Sequence, residues 1–248
     1  MTNGIGRVGW RQLPPVIPVN TSGLVMYIDP SISTSYAGTG TIITDISQSA
    51  QVGTLTNGAA YSSANGGVFT LDGVNDYINM GNSELLQPYS SRTVQIWAKI
   101  SPSSVGYLFC QGNSNTGSNQ FTINYQDSGL IGYVCNNAGQ YAGSTIANQG
   151  QIGSGGAGGF GSNANIWVLY TYSYSSSSQK AYVNGTLTGS RSNPYSPSAI
   201  TGNTLIGAGT SVAIPMKGSI GSVSIYNRQL SNAEVLQNFN ATKTRFGL

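Results

Sequence analysis

From Gly23 onward the chain alternates apolar and polar positions in short runs separated by Gly, Ser and Asn clusters. That period of two is the mark of half-buried β-strands. Leu24–Ile28 reads as a first strand closed by Asp29-Pro30. In Thr93–Ile100, Val94, Ile96, Ala98 and Ile100 face one way, Gln95 and Lys99 the other. Phe121, Ile123 and Tyr125 alternate with Thr122, Asn124 and Gln126, and Val168, Tyr170 and Tyr172 share a face of the strand Ile166–Tyr174. Tyr182-Val183, Asn184-Gly185 and Thr186-Leu187 predict a hairpin with an Asn-Gly turn. Val68–Leu71 and Tyr77–Met80 flank Asp72–Asp76 and read as a second hairpin. Thr204–Ile206 and Ser219–Tyr226 are later strands. Two-sided alternation over many short strands predicts an all-β fold of two packed antiparallel sheets.

Two segments break the pattern. Ser231-Asn232-Ala233-Glu234 is a capping box, predicting a short helix over about 232–242, packed on the sandwich edge, with Ala233, Leu236 and Phe239 on one face. Lys243 and Arg245 would then lie near the negative end of its dipole. Residues 1–22, with Pro14, Pro15 and Pro18, read as an extended arm that makes few hydrogen bonds of its own. Arg7, Trp10 and Arg11 are its candidate attachment residues, because Trp and Arg most often anchor interfaces. The organisation expected is an arm over 1–22 and one β domain over 23–248. Gly150–Gly161 reads as a loop that could order against a neighbouring subunit.

Composition narrows the chemistry. Only 7% of the 248 residues are charged, and a net charge of +3 gives no basis for binding nucleic acid or acidic lipid. With lysine scarce, strand edges must be short, covered or used in assembly. The chain has no histidine, which removes Ser-His-Asp, Cys-His and His-ligated metal mechanisms. Cys110 and Cys135 lie in neighbouring strand-like segments and read as small buried hydrophobes. There is no apolar run long enough to span a membrane, and no signal peptide is recognised, so synthesis in a host cytoplasm is expected.

Candidate sites are few. Gly153–Gly158 matches the dinucleotide fingerprint but precedes a strand, whereas that motif works at a helix N-terminus. A glycosidase needs two carboxylates roughly 5–9 Å apart across a cleft. Among Asp29, Asp45, Asp72, Asp76, Glu84, Asp127 and Glu234, no two alternate along one strand. A non-enzymatic protein is therefore expected. Asp72, Asn75 and Asp76 offer oxygen ligands in one loop and form a candidate calcium site, although Asp and Asn are equally ordinary turn residues. The 15 tyrosines could form a sugar-stacking platform, and Tyr170, Tyr172 and Tyr174 could equally be core or subunit contacts.

Several motifs occur in an order that resembles laminin-G-like, concanavalin A-like jelly rolls. They are Phe69–Gly73 with Asn75–Ile78, Thr93–Trp97, Trp167, Ala181–Gly185 and Gly218–Arg228. Leu230–Glu234, Gln237–Ala241 and Arg245–Gly247 resemble the C-termini of such domains in tailed-phage virion proteins. The resemblance covers about residues 23–248. It implies a two-sheet jelly-roll sandwich with a short C-terminal helix, located in the virion. Its expected partners are other capsid or tail proteins, further copies of itself in a homo-oligomer, and surface glycans. A capsid decoration protein attached by its arm is expected, with a carbohydrate-binding tail or fibre component as the alternative. The glucanases of the superfamily carry alternating acids on one strand, and this chain lacks them.

Overall fold

The expected strands form, and every pair is antiparallel. A computed structural model describes residues 20–83, 86, 91–101, 106–113, 118–126, 129–135, 152–153, 164–192, 202–210 and 214–248. Its strands are β1 (Leu24–Ile28), β2 (Ile42–Thr44), β3 (Val52–Thr56), β4 (Ala60–Ser62), β5 (Val68–Asp72), β6 (Tyr77–Asn79), β7 (Arg92–Ile100) and β8 (Gly106–Asn113). They continue with β9 (Ser118–Gln126), β10 (Gly129–Cys135), β11 (Ile152–Gly153), β12 (Trp167–Tyr174), β13 (Ser178–Val183), β14 (Thr186–Ser192), β15 (Thr204–Ile206) and β16 (Lys217–Tyr226). One helix, α1 (Asn232–Thr242), follows. The first sheet runs β14-β13-β12-β7-β16-β5-β4, with β1 also on β16, and the second runs β11-β10-β9-β8-β15-β6-β3-β2.

Their facing sides make one core. Val94, Ile96, Ala98 and Ile100 of β7 meet Phe121, Ile123 and Tyr125 of β9 there, together with Val168, Tyr170, Tyr172 and Tyr174 of β12. The tyrosine face of β12 is therefore core, not a platform for ligands. Asn184 and Gly185 both take positive φ, 51° and 78°, the geometry that joins β13 to β14 as a tight hairpin.

Two local expectations are corrected. Val68–Leu71 and Tyr77–Met80 do not form a hairpin: β5 pairs with β4 and β16 in the first sheet, while β6 pairs with β3 and β15 in the second. The segment between them is a corner that carries the chain across the sandwich, and turn chemistry looks the same in either use. On α1 the buried residues are Val235 and Asn238, whereas Leu236 is 45% exposed. Phe239 of the expected face stacks on Trp97 at 5.8 Å while Leu236 faces solvent, so the packed stripe runs through Val235, Asn238 and Phe239, and α1 lies over the outer face of the first sheet, not at its edge. Cys110 is buried, and β9 separates its strand β8 from the strand β10 that ends at Cys135.

Three of the four edge strands are short, β2 and β4 with three residues each and β11 with two, too short to template long pairings, while the fourth, β14, has seven.

Candidate functional site

The corner between β5 and β6 holds the three candidate calcium ligands. The Val74 and Asn75 amides donate to Asp72 Oδ1 at 2.7 and 3.4 Å, and the Asp72 amide donates to Asp76 Oδ2 at 3.0 Å. The Val74 bond holds the Asp72 carboxyl below its usual range, while burial and the neighbouring Asp72 charge push that of Asp76 up. The Asn75 carbonyl accepts from Asn57 Nδ2 at 3.0 Å. Asp72 Oδ1 and Asp76 Oδ2 close the turn, while Asp76 Oδ1 is buried with no hydrogen-bond partner. Calcium wants six to eight oxygens, and among the described residues no three acidic or thiol-bearing residues converge on a metal site. The residues fit a turn better than a calcium cage.

The outer face of the first sheet is covered by the C-terminus. Ser231 Oγ caps the Glu234 amide at 3.3 Å and the Glu234 carboxylate accepts from the Ser231 amide at 2.8 Å, as the capping box predicts. Glu234 does more than cap. Arg228 grips it through two bonds of 2.7 and 3.0 Å and pulls its carboxyl down to about 2. Arg228 Nε donates to the Ser22 carbonyl at 2.9 Å, Asn20 Nδ2 donates to Glu234, and the Asn20 amide donates to Asn238 Oδ1 at 3.3 Å. The point where the N-terminal segment leaves the domain is thus clasped to the start of α1. Asn238 in turn donates to Gln95 at 2.7 Å and to the Tyr226 hydroxyl at 3.0 Å, tying α1 to β7 and β16.

Arg245 lies just past the end of α1, as expected, in a 3-10 turn (Lys243–Phe246), and forms an ion pair with Asp29 at 2.7 Å, donating also to the Asn65 and Gly67 carbonyls. Asp29 further accepts from Tyr27 Oη at 2.9 Å and from Ser31. Asp45, 1% exposed, accepts from the amides of Tyr27 and Ser47 at 2.7 and 2.8 Å and from Ser47 Oγ at 2.8 Å. Each described carboxylate therefore supports a turn, a cap or an ion pair.

Two surfaces remain. On the outer side of the second sheet, Thr54 pairs with Asn79 and Thr56 with Tyr77, and all four side chains are half-exposed. Further along that face Thr122 Oγ1 and Asn124 Oδ1 are buried and have no hydrogen-bond partner. The second surface is an open groove of about 640 Å³ beside β1. Leu24, Val25, Ile46, Gln48, Ser49 and Asn227 line it, with no charged residue among the lining residues. Composition gave no sign of the groove or of the clasp, because both join segments distant in sequence. Arg7, Trp10 and Arg11 lie outside the described residues, as do Glu84, Asp127 and most of Gly150–Gly161.

The comparisons agree with this geometry. Residues 72–236, more than half of the chain, match the Laminin_G_3 family of the concanavalin A-like lectin/glucanases superfamily, and the chain belongs to that family. No curated protein matches the sequence. Domain 4 of AbnA, an extracellular arabinanase from Geobacillus stearothermophilus solved with arabinotriose, is similar at 16% identity and a TM-score of 0.60, with 88% of this chain and 98% of that one covered. The botulinum neurotoxin serotype G binding domain has 12% identity and a TM-score of 0.63, and Trypanosoma rangeli sialidase 14% and 0.61. These alignments take in 87% and 89% of this chain but only 50% and 33% of the other. At such identities the likeness establishes the fold, a lectin-like β-sandwich. No helix among the described residues is long and apolar enough to cross a membrane.

Proposed function

We propose that this chain is a non-enzymatic module on the exterior of a tailed-phage particle, a capsid decoration attached through residues 1–22, with Arg7, Trp10 and Arg11 making the contact. The observation that carries this reading is the clasp on Asn20 and Ser22. In a chain with only 7% charged residues, one ion pair and an added hydrogen-bond network fix the exit of the N-terminal segment. A segment needed only as a loose tail has no use for a fixed exit. The experiment is particle binding by a chain that begins at Asn20. It should fold and fail to bind purified particles, and undiminished binding would end this reading.

A second reading is a tail or fibre component that recognises carbohydrate. It draws on the arabinotriose complex of the similar arabinanase domain and on the half-exposed Tyr77, Thr54, Thr56 and Asn79, an aromatic residue among hydrogen-bonding ones on paired strands. A glycan array with and without calcium tests it. Particles bearing a labelled protein, viewed by electron microscopy, separate the two, since a decoration spreads over the head and a receptor binder concentrates on the tail.

A further inference from the structure

We propose that Asn57-Gly58 is where this protein spontaneously converts asparagine to aspartate and isoaspartate, and that the conversion unties two crossings between its sheets. The chemistry is independent of attachment through residues 1–22. The described residues contain three Asn-Gly pairs, at 57–58, 65–66 and 184–185. In each pair both residues take positive φ, 63° and 123°, 50° and 77°, and 51° and 78°. Local sequence and backbone class are thus shared, and the surroundings of each side-chain amide decide which pair reacts. The reaction needs only solvent water. The Gly amide nitrogen gives up its proton and bonds to the Asn Cγ, the Cγ–Nδ2 bond breaks, and ammonia leaves with a proton returned to it. Water then opens the succinimide at either carbonyl, giving aspartate or isoaspartate.

Two of the pairs are restrained. Asn65 is exposed but held at both amide atoms: Oδ1 accepts from Trp167 Nε1 and Nδ2 donates to the Arg245 carbonyl, each at 3.1 Å. Arg245 Nε also donates to the Asn65 carbonyl at 2.8 Å. Asn184 Oδ1 accepts from the Leu169 amide at 2.9 Å. Gly185 beside it is buried under α1, where an added Cβ would meet Leu236 at 3.0 Å and Phe239 at 3.1 Å. Close packing there leaves little room for the peptide to swing into a ring. Asn57 and Gly58 are both exposed. Among the described residues Asn57 is held by one side-chain bond, from Nδ2 to the Asn75 carbonyl at 3.0 Å. Each further bond that must break before attack slows the step by about tenfold.

That single bond is also what gives the conversion a structural effect. Thr56–Ala59, closed by the Ala59 amide on the Thr56 carbonyl at 3.3 Å, takes the chain from β3 in the second sheet toward β4 in the first. Asp72–Asp76 carries it back from β5 to β6. The bond from Asn57 to Asn75 ties these two crossings together. An aspartate at 57 replaces the NH2 donor with an oxygen facing the Asn75 carbonyl, so attraction turns to repulsion. Isoaspartate also adds a methylene to the main chain of a tight turn. The new charge arrives beside Asp76: an added Cβ on Gly58 would lie 3.1 Å from Asp76 Oδ1, which is buried without a hydrogen-bond partner. Like charges close together in a partly buried corner oppose its closure.

The test stores the full-length chain in mildly alkaline buffer and follows the three pairs by peptide mass mapping, which reads the replacement of NH2 by OH at each position. Position 57 is expected to convert at least about tenfold faster than 65 or 184. In strong urea the three rates should converge, since only the fold separates them. Trp167→Phe removes the donor to Asn65 Oδ1 and should speed conversion at 65 toward the rate at 57, with circular dichroism confirming that the variant is folded. Asn57→Asp, which reproduces one product directly, should lower the thermal midpoint by about 2–4 °C. Faster conversion at 65 or 184, equal rates in the folded chain, the same order kept in urea, or no change at 65 in folded Trp167→Phe would overturn the site. An Asn57→Asp midpoint equal to that of wild type would overturn the untying.

Discussion

Replacing Arg92 with methionine is expected to make the protein more stable, although Arg92 is among the best-buried side chains in it. Arg92 begins β7 on the same face as Val94 and Ile96 and points into the space between the sheets, 1% exposed. One guanidinium nitrogen donates to the Gln111 side-chain oxygen, the group lies 5.6 Å from the centre of the Phe121 ring, and Nε has no partner. It has no ion-pair partner among the described residues. Burial drives its pKa from the ordinary guanidinium range down to about 9, which corresponds to a penalty on the order of 5 kcal/mol for keeping the cation there. Methionine keeps an unbranched apolar chain of similar reach. The substitution strands the Gln111 oxygen, costing about 1–3 kcal/mol, and loses about 1 kcal/mol of cation–ring attraction. The net expectation is a gain of about 1–3 kcal/mol, in line with other exchanges of buried charge for apolar groups.

Urea unfolding of the two proteins at neutral pH measures that gain, and the pH dependence checks its origin. Above about 9 the unfolded chain holds the Arg92 proton more tightly than the folded one, so wild-type stability gains as pH rises past that value. The variant lacks this contribution, and tyrosine ionisation, common to both, drops out of the difference. The advantage of the variant should therefore be full below pH 9 and shrink above it. A variant less stable than wild type by 1 kcal/mol or more, or a difference that ignores pH, would show that Arg92 stabilises the core.

Arg245→Met should cost about 3–5 kcal/mol, since it leaves Asp29 as an unpaired, nearly buried carboxylate, and a chemical denaturation curve will show it. Glu234→Gln should cost about 1–2 kcal/mol at neutral pH and release Asn20. Because the folded Glu234 carboxyl lies near 2 rather than 4.5, its contribution is present above about 4.5 and lost as pH falls toward 2, so wild type and variant should converge in acid. Gly218→Ala should destabilise by more than about 2 kcal/mol: the backbone sits at φ 148°, and an added Cβ would lie 2.2 Å from the Lys99 carbonyl oxygen. A thermal midpoint equal to that of wild type would contradict that packing.

Local rules determined much of this protein directly. The alternation in Thr93–Ile100 fixed which side of β7 faces the core, because side chains on a strand can only alternate. Asn184-Gly185 made its hairpin because few other residue pairs tolerate two positive φ values in succession. The capping box placed α1 because its hydrogen bonds span only three residues. The tertiary structure decided everything that depends on what lies opposite. Asp72–Asp76 has the chemistry of a turn, yet only the competition among β3, β4, β15 and β16 for partners sends β5 and β6 to different sheets. Leu236 looks as apolar as Val235, and the tilt of α1 over the sheet chose between them. Arg245 finds Asp29 across 216 residues, and Asn20 finds Glu234 across 214, distances over which no local preference acts. Arg92 is the clearest case. At the head of a strand a charged residue reads as a solvated end, and only the second sheet closing over it turns that position into core.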